Sequence, residues 1–506
     1  MSVASLRMGR RTPVTVRHSS FIPTWETSHI PAPLCHAKKL RTLLQIGPSV
    51  IDTIANNLFQ CTRSLRALDF AASGSRIKEL PNSLGLLKNL RYLDLSYSEI
   101  VELPESVSSL RNLQTLKLNW CDCLERLPSG MSAMVRLRHL EIEGTRALKY
   151  LPEGLGRISS LRTLSRFIVG GDGGCKIGEL KRLDSLQGKL EIEHLERVAS
   201  VNEAKEAQLE NKLHIRVLTL EMSGNGDVER MENVVEALRP SLANLEELKI
   251  WGYIGSKFPT WIGDSSFSNL VSLRLIYCKR CTQLPGLGRL PSLKYLEITA
   301  SFVKRVGSEF YGSSSGGDIN GVAFPKLEEL EFNYMYKLEE WELRLEDREI
   351  MPSLHSLRIL YCWKLKALLT HLPKSLTSLD ISACGEILGP LPNLPSLKTF
   401  EIYNLENTTC LPYGWKQLES LETLTISNCS KLRSLPDDLG QLKSLRNLKI
   451  HSCPELRSLP QGLWGLTCLQ YLSISGNPML ADKCTRKYRS KASHIPNIWI
   501  DANRIE

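Results

Sequence analysis

Residues 420–436, SLETLTISNCSKLRSLP, recur almost letter for letter as SLRNLKIHSCPELRSLP at residues 444–460. The shared skeleton is Leu, two residues, Leu, one residue, Ile, two residues, Cys, two residues, Leu, two residues and Leu-Pro. Leu424 and Ile426 alternate like the side chains on one face of a β-strand, and Leu432 and Leu435 follow after a bend. Because so short a unit cannot bury its apolar face alone, it must stack on copies of itself.

The same skeleton recurs through most of the chain. After a weak first copy at Leu40, the first leucine of each copy, or the isoleucine in its place, falls at Leu65, Leu90, Leu113, Leu137, Leu161, Ile215, Leu245, Leu270, Leu293, Leu327, Leu354, Leu376, Leu397, Leu421, Leu445 and Leu469. We number places in a repeat from this residue, so Leu424 occupies place three. The sequence predicts an α/β leucine-rich-repeat solenoid, a horseshoe with a parallel β-sheet on its concave face and irregular or short helical convex segments.

The period is interrupted once at length, which sets the expected division of the chain. Residues 169–214 combine a glycine-rich start with a stretch of strong helix formers near 202–212. We expect an N-terminal cap and weak first repeat at 1–64, regular repeats at 65–168, and an irregular excursion with a helix at 169–214. Repeats then resume at 215–480, and a C-terminal cap follows at 481–506. Residues 313–321, rich in Gly and Ser, are expected to form a surface loop.

Charge and cysteine content limit the function classes. Net charge is +10, but residues 1–48 hold seven Lys and Arg against one acidic residue, and residues 481–506 hold six against three. The nearly neutral body argues against a nucleic-acid partner. No apolar run approaches the roughly 18 residues of a membrane span. Fourteen cysteines without a signal peptide predict free thiols and a cytoplasmic location.

Cysteine also has a fixed phase in the repeat. Place eight is a cysteine at Cys121, Cys278, Cys362, Cys384, Cys429 and Cys453, and the same phase gives Asn477, Ser98 and Thr145. We expect this place to turn inward at the strand end, where a small polar group can bond the backbone of a neighbouring repeat. Cys278 and Cys281 form the one C-x-x-C pair, but no second pair follows at a zinc-finger spacing, so no metal site is predicted.

Two sequence patterns that resemble catalytic motifs are better explained as structure. Residues 312–316, GSSSG, lie in a Gly/Ser loop and lack the strand and helix of a nucleophile elbow. Lys176 is followed by Ile177, so the preceding glycines do not make a P-loop. We therefore predict no catalytic residue and no cofactor.

Aromatic residues mark the predicted concave face. Places two, four, six and seven are expected to be strand positions that face this side. Place seven is aromatic at Tyr97, Trp120, Tyr277, Tyr334 and Tyr361, and place six adds Trp251 and Tyr403. Exposed aromatic residues anchor protein interfaces because they bury much area at small entropic cost, so these residues are the predicted partner-binding site. The alternative is that they only stack on one another along the sheet.

One segment is strongly acidic. Residues 328–349 contain nine acidic and three basic residues. The interpretation we favour is a solvated convex face, and the alternative is a docking patch for a basic partner.

Several longer motifs carry a family resemblance. They are IKELP at 77–81, LRYLDLS at 90–96, LRTLSRFIVG at 161–170, WGYIGSKFPTW at 251–261, LPGLGRLPSLK at 284–294, GSEFYG at 307–312 and HIPNI at 494–498. The chain resembles the leucine-rich-repeat half of plant intracellular disease-resistance proteins of the coiled-coil NB-ARC class, over residues 16–500. The resemblance implies a non-enzymatic role in innate immunity, in which the repeats bind a pathogen effector, its guarded host target or an NB-ARC domain.

One departure from that family limits what carries over. The chain starts at its own Met, so we expect the nucleotide switch and coiled coil to be absent, and with them ATP binding. Alternatives to an immune role are an intracellular leucine-rich-repeat scaffold or inhibitor, an extracellular receptor-like protein and an enzyme. The receptor would need a signal peptide and N-x-L-x-G-x-I-P corners, and the enzyme a catalytic constellation.

Overall fold

Two compact units, Met1–Leu245 and Glu246–Glu506, make up the chain in the computed structural model. The structure describes residues 3–6, 16–22, 34, 37–47, 51–71, 76–171, 173–312, 322–342, 349–365, 372–385, 390–483, 494–501 and 503–505. The loop expected at 313–321 lies outside these residues.

Short parallel strands dominate the first unit. They are β1 Val3–Leu6, β2 His18–Phe21, β3 Thr42–Gln45, β4 Ala67–Asp69, β5 Tyr92–Asp94, β6 Thr115–Lys117, β7 His139–Glu141, β8 Thr163–Leu164, β9 Arg166–Ile168, β10 Gln187–Glu193 and β11 His214–Glu221. Strands β1 to β8 form one sheet in sequence order, and β9, β10 and β11 pair in order in another. Strands β1 to β3 lie within the expected N-terminal cap and weak first repeat.

Helices of the first unit lie between the strands. The α-helices are α1 Asn56–Cys61, α2 Val201–Glu206 and α3 Val228–Ala237, and the 3-10 helices are Asn82–Leu86, Glu105–Ser109, Ser129–Ala133, Leu155–Arg157, Ile177–Arg182, Leu195–Arg197 and Leu209–Asn211. Helix α2 lies within the expected irregular excursion and ends earlier than the helix-forming stretch does. The sequence analysis missed α1 and α3.

The second unit repeats the same plan. Its strands are β12 Glu247–Trp251, β13 Ser272–Ile276, β14 Tyr295–Thr299, β15 Arg305–Val306, β16 Glu329–Asn333, β17 Glu340–Trp341, β18 Ser356–Leu360, β19 Ser378–Ser382, β20 Thr399–Tyr403, β21 Thr423–Ser427, β22 Asn447–His451, β23 Tyr471–Ser475, β24 Asn497–Ile500 and β25 Asn503–Ile505. Strands β15 and β17 pair apart from the others. The remaining strands follow one another in chain order, parallel until β25 turns back antiparallel onto β24.

The helical elements of the second unit are short. They are α4 Pro478–Lys483 and the 3-10 helices Thr260–Gly263, Leu287–Arg289, Ser308–Tyr311, Trp415–Gln417, Asp437–Gln441 and Gln461–Gly465. The Leu-Pro corner starts several of them, since Pro436 and Pro460 adopt φ near −63° and ψ near 142° immediately before the helix. Proline fixes this φ and gives up no helical hydrogen bond there.

The in-register ladder explains the core. Leu424 lies opposite Leu448, and Ile426 lies opposite Ile450, on parallel strands. All four side chains are fully buried. Burial of each such side chain contributes roughly 1.5–3 kcal/mol, and the repeat supplies another at every second strand position. The fold class predicted from the skeleton is confirmed.

Place eight behaves as the sequence predicted. The Cys121 thiol donates to the Leu95 carbonyl at 3.2 Å, and the Cys384 thiol donates to the Ile359 carbonyl at 3.3 Å, in each case in the preceding repeat. Asn477 does the same for Ile450 at 2.9 Å. Burial raises the pKa of the Cys278 thiol to about 12. Cys121 and Asn477 thus act as buried hydrogen-bond donors between repeats.

Candidate interaction surface

The predicted aromatic residues at place seven lie just beyond the strands. In the second unit the strands end at place six, and Tyr277, Tyr334 and Tyr361 follow with φ of 57°, 51° and 54°. Their N–H groups still donate to the next repeat, as Tyr334 does to the Leu360 carbonyl at 2.9 Å. The expectation that place seven is a strand position is therefore wrong, because a left-handed φ ends the extended backbone.

This left-handed conformation is costly for a bulky residue. Other repeats have glycine or asparagine at place seven, at Gly144, Gly252, Gly476, Asn404 and Asn428, all with positive φ. A tyrosine or tryptophan there carries roughly 1–2 kcal/mol of strain that glycine avoids. Strain of this kind is typical of positions retained for function.

Five rings pack together where strands β14, β16 and β18 end. Tyr334 and Tyr361 stack with centroids 4.5 Å apart and planes 3° apart. Tyr336 and Trp363 stack beside them at 5.7 Å, and Phe302 meets Tyr336 edge-on at 6.2 Å. We call these five residues the aromatic edge. Trp363 is 48% exposed and Phe302 39% exposed, so the cluster presents apolar surface to solvent.

The sequence analysis missed three members of the aromatic edge. Phe302, Tyr336 and Trp363 all occupy place nine of their repeats. The predicted concave face comprised places two, four, six and seven, and so it excluded place nine. The pattern that could have revealed them is an aromatic residue at place nine in three consecutive repeats.

Two other predicted residues form a separate pair. Trp251, at the end of β12, meets Tyr277 edge-on at 5.6 Å. The ammonium group of Lys279 lies 5.6 Å from the centre of the Tyr277 ring, a cation–π contact. Ala300 occupies place seven of the next repeat, so no ring at that place links this pair to Tyr334.

The remaining predicted residues stand apart. Tyr403 is half-buried at the end of β20, and none of the rings described in the structure packs against it. Tyr97 and Trp120 belong to the first unit and are 50% and 43% exposed. Trp120 covers Gly144, where an added Cβ would lie 2.5 Å from the indole ring. The structure therefore brings together two pairs of the seven predicted residues and leaves three separate.

Charged side chains line place four of the second unit. Arg358 bonds Glu331 at 3.1 Å and lies 3.8 Å from Asp380, so one guanidinium serves two carboxylates. Asp380 also lies opposite Glu401 on the next strand. Burial, followed by the charge of Glu401, raises the pKa of the Asp380 carboxyl to about 6. Three carboxylates, those of Glu331, Asp380 and Glu401, thus face one guanidinium at place four, so this part of the inner face carries a surplus of negative charge.

The acidic segment is mostly paired with neighbouring repeats. Glu328 bonds Lys294, Glu331 bonds Arg358, Glu339 bonds Lys364, and Glu340 and Glu342 contact Arg305. Glu329 and Glu331 belong to strand β16, so a wholly convex location for this segment is wrong. Residues 343–348 of the segment lie outside the described chain.

Metal-ligating groups are few in the described chain. Carboxylate oxygens of Glu191, Glu193 and Glu221 lie within 4.8 Å of one another. Glu193 is already held by the Arg166 guanidinium, in a nearly buried ion pair, which competes with any cation. Of the C-x-x-C pair, the Cys281 thiol donates to the Gly255 carbonyl at 3.3 Å and Cys278 approaches the Ile276 carbonyl at 3.7 Å.

Stacked parallel strands, Leu-Pro corners and inward place-eight donors define a leucine-rich-repeat protein. The family model described as "Leucine-rich repeat region" matches residues 39–403, and one for R13L1/DRL21 leucine-rich repeats matches residues 380–453. The chain belongs to the leucine-rich repeat region family.

Relatives of this chain carry disease-resistance names. A protein of Arabidopsis thaliana so named is 38% identical over 391 residues, which are 74% of this chain and 27% of that protein. Disease resistance protein RGA2 of Solanum bulbocastanum is 35% identical over 269 residues, 50% of this chain and 27% of that protein. The chain thus spans about a quarter of the length of these relatives.

Among solved structures, a leucine-rich-repeat protein of Leptospira interrogans is similar with a TM-score of 0.42 and 21% identity, covering 93% of each chain. A TDR receptor structure has a TM-score of 0.43 and 14% identity, covering 94% of this chain and 79% of that one. No helix among the described residues is both long and apolar enough to cross a membrane.

Proposed function

We propose that this chain is a non-enzymatic recognition module of plant innate immunity that docks a protein partner on the second unit. The partner is a pathogen effector or a guarded host protein. The aromatic edge is the observation that carries this proposal. Its rings are held by mutual stacking before any partner arrives, so binding orders few side chains and loses little conformational entropy.

The defence role rests on the relatives, whose names refer to disease resistance. Free, buried place-eight thiols fit a reducing compartment, so we place this activity in the cytoplasm. Tyr97 and Trp120 of the first unit supply a second contact, for an NB-ARC domain. Both rings are close to half exposed, and Gly144 leaves Trp120 the room that it occupies.

A pull-down from infected plant tissue tests the proposal. The test variant replaces Tyr334, Tyr361, Tyr336 and Trp363, the two stacked pairs of the aromatic edge, by alanine. Each anchor that is a hot spot should cost about 2 kcal/mol or more of binding free energy, so the specific partner should disappear. The control is Tyr413→Ala, which removes an aromatic residue of the same unit that is 66% exposed.

Both variants must melt within a few degrees of the wild type for the comparison to count. Outward rings leave no core cavity, so we expect them to do so. Unchanged capture by the folded quadruple variant would leave the rings as mere stacking and reject the proposed site.

A further inference from the structure

Exposed cations border the aromatic edge along the same strand ends. Lys279 and Arg280 follow β13, Lys304 follows β14, and Lys337 comes directly after Tyr336. We call these four residues the basic rim. All four side chains are exposed. The four residues follow three neighbouring strands, β13, β14 and β16, and because neighbouring strands lie about 4.8 Å apart, the charges fall along roughly 10 Å of surface.

No carboxylate within the described ranges forms an ion pair with a member of the basic rim. Acidic residues close by in the sequence are already engaged, because Glu339 contacts Lys364 at 3.7 Å and Glu342 bonds Arg305 at 2.8 Å. Like charges this close repel one another, since they lie within about one Debye length of roughly 8 Å at physiological salt. The rim therefore carries a surplus positive charge beside an exposed apolar cluster.

We propose that the aromatic edge and the basic rim together bind an acidic segment of a protein partner, one with Asp and Glu flanking an aromatic or aliphatic anchor. The proposal rests on the proposed function and specifies the chemistry of the partner at that site. The anchor covers the exposed rings, and the carboxylates neutralise the rim. An extended segment spans about 3.3 Å per residue, so three residues cover the roughly 10 Å of the rim and a segment of five also reaches the neighbouring rings.

Ring geometry favours a protein segment over single-stranded nucleic acid. Nucleic-acid platforms offer free ring faces on which successive bases stack. Here the facing surfaces of Tyr334 and Tyr361, 4.5 Å apart, are in contact with each other, and Tyr336 faces Trp363.

The test uses two defined probes on the full chain. The acidic probe is the peptide acetyl-Glu-Asp-Trp-Glu-Asp-amide, and its uncharged match is acetyl-Gln-Asn-Trp-Gln-Asn-amide. We expect the acidic peptide to bind at least about tenfold more tightly at low salt, with the difference shrinking as salt rises. Isothermal titration or NMR titration up to about 5 mM peptide measures both affinities.

A charge-matched pair of variants locates the effect. One variant changes Lys279, Arg280, Lys304 and Lys337 to Gln, and the control changes Lys374, Lys398, Lys416 and Lys443, also exposed lysines of the second unit, to Gln. Both lower the net charge by the same amount. The tenfold preference for the acidic peptide should vanish only in the first variant.

The outcomes separate this inference from the proposed function. Equal binding of both peptides, with loss of both on Trp363→Ala, would overturn the acidic preference and leave the aromatic site standing. Undetectable binding of the acidic peptide would overturn the inference, whereas the pull-down above would still decide the proposed function. Tighter binding of a dT20 oligonucleotide than of the acidic peptide, lost in the rim variant, would instead make this surface a nucleic-acid interface.

Discussion

Tyr334 and Tyr361 stack face to face, with ring centroids 4.5 Å apart and planes only 3° from parallel. This spacing is close to the roughly 4.8 Å that separates neighbouring strands. The sheet therefore sets the distance between the rings, and the left-handed turn at place seven sets their direction. Repeats without an aromatic residue make the same turn with a small or amide residue, as at Gly252, Ala300 and Asn428.

The buried and exposed phases of the repeat make a direct stability prediction. Leu424 is fully buried, so Leu424→Ala should lower the free energy of unfolding by about 2–5 kcal/mol. Lys449 lies on the outward face of the next strand, so Lys449→Ala should change it by no more than about 0.5 kcal/mol. Urea melts measure both. Equal losses would mean that the inward and outward places are wrongly assigned.

Place-eight cysteines should be chemically silent in the folded protein. The hydrogen bond with the Cys429 thiol, followed by burial, raises the pKa of the Cys453 thiol, whereas the same bond lowers the pKa of Cys429. Protection of Cys429 therefore rests on its complete burial, which keeps the reagent away from the sulfur. Under native conditions iodoacetamide should modify the exposed Cys123, Cys410 and Cys468 but spare Cys429 and Cys453. Mass spectrometry of the labelled peptides, with a sample denatured in urea as control, measures this. Rapid labelling of Cys429 and Cys453 in the native protein would show that these two thiols do not lie in the interior.

The Asp380 carboxyl predicts a pH dependence of stability. Its pKa is about 6 in the folded chain and about 3.9 when unfolded. The folded state therefore binds the proton more tightly, and stability from this group is lost as pH rises from about 4 to about 6. Asp380→Asn should raise the free energy of unfolding at pH 7 by on the order of 1–3 kcal/mol, and by little at about pH 4.

An exposed carboxyl provides the control for that experiment. Glu406→Gln should move the free energy of unfolding by less than about 0.5 kcal/mol at either pH. A loss of stability at pH 7 in the Asp380→Asn protein would mean that the contact with Arg358 outweighs burial and the charge of Glu401.

Gly144 should tolerate no side chain, for two separable reasons. It has φ of +72°, and an added Cβ would meet the Trp120 ring. Gly188 has φ of +78° with nothing within 4 Å, so Gly188→Ala reports backbone strain alone, about 1–2 kcal/mol. Gly144→Ala should cost at least about 1 kcal/mol more, and adding Trp120→Ala should recover that excess in a thermal melt. Equal costs in the two alanine variants would show that Trp120 does not rest on Gly144.

Structural features that depend on residues recurring at fixed places of the repeat could be predicted from the sequence. Leu424, Ile426 and Cys429 recur at fixed places, so their burial could be derived from spacing alone. Helix α3 could also have been found, because Met231, Val234 and Val235 are buried at helical spacing behind the Asp227 cap. The leucine skeleton carries strand periodicity only, so it gives no indication of this helix.

The aromatic edge was only half predictable. Tyr334 and Tyr361 were selected by phase, but their left-handed backbone is a consequence of the turn that every repeat makes, which the side-chain pattern does not reveal. Trp363 required knowing that place nine returns to the same edge as place seven. That relationship depends on the path of the backbone after the strand, which the spacing of the apolar residues does not predict.

A protein partner that docks on the aromatic edge must lie next to its rings. Site-specific photo-crosslinking detects this directly, as covalent capture of the partner at a labelled position. A photoreactive phenylalanine analogue replaces Trp363 in one protein and Tyr413 in another, both in infected plant tissue. Both positions are well exposed, at 48% and 66%, so solvent access does not separate them. If the partner docks on the aromatic edge, the protein labelled at position 363 should form a specific covalent complex that excess acidic peptide suppresses. The protein labelled at position 413 should form none. Crosslinking from position 413 alone, or of the same partner from both positions with equal yield, would contradict docking on the aromatic edge.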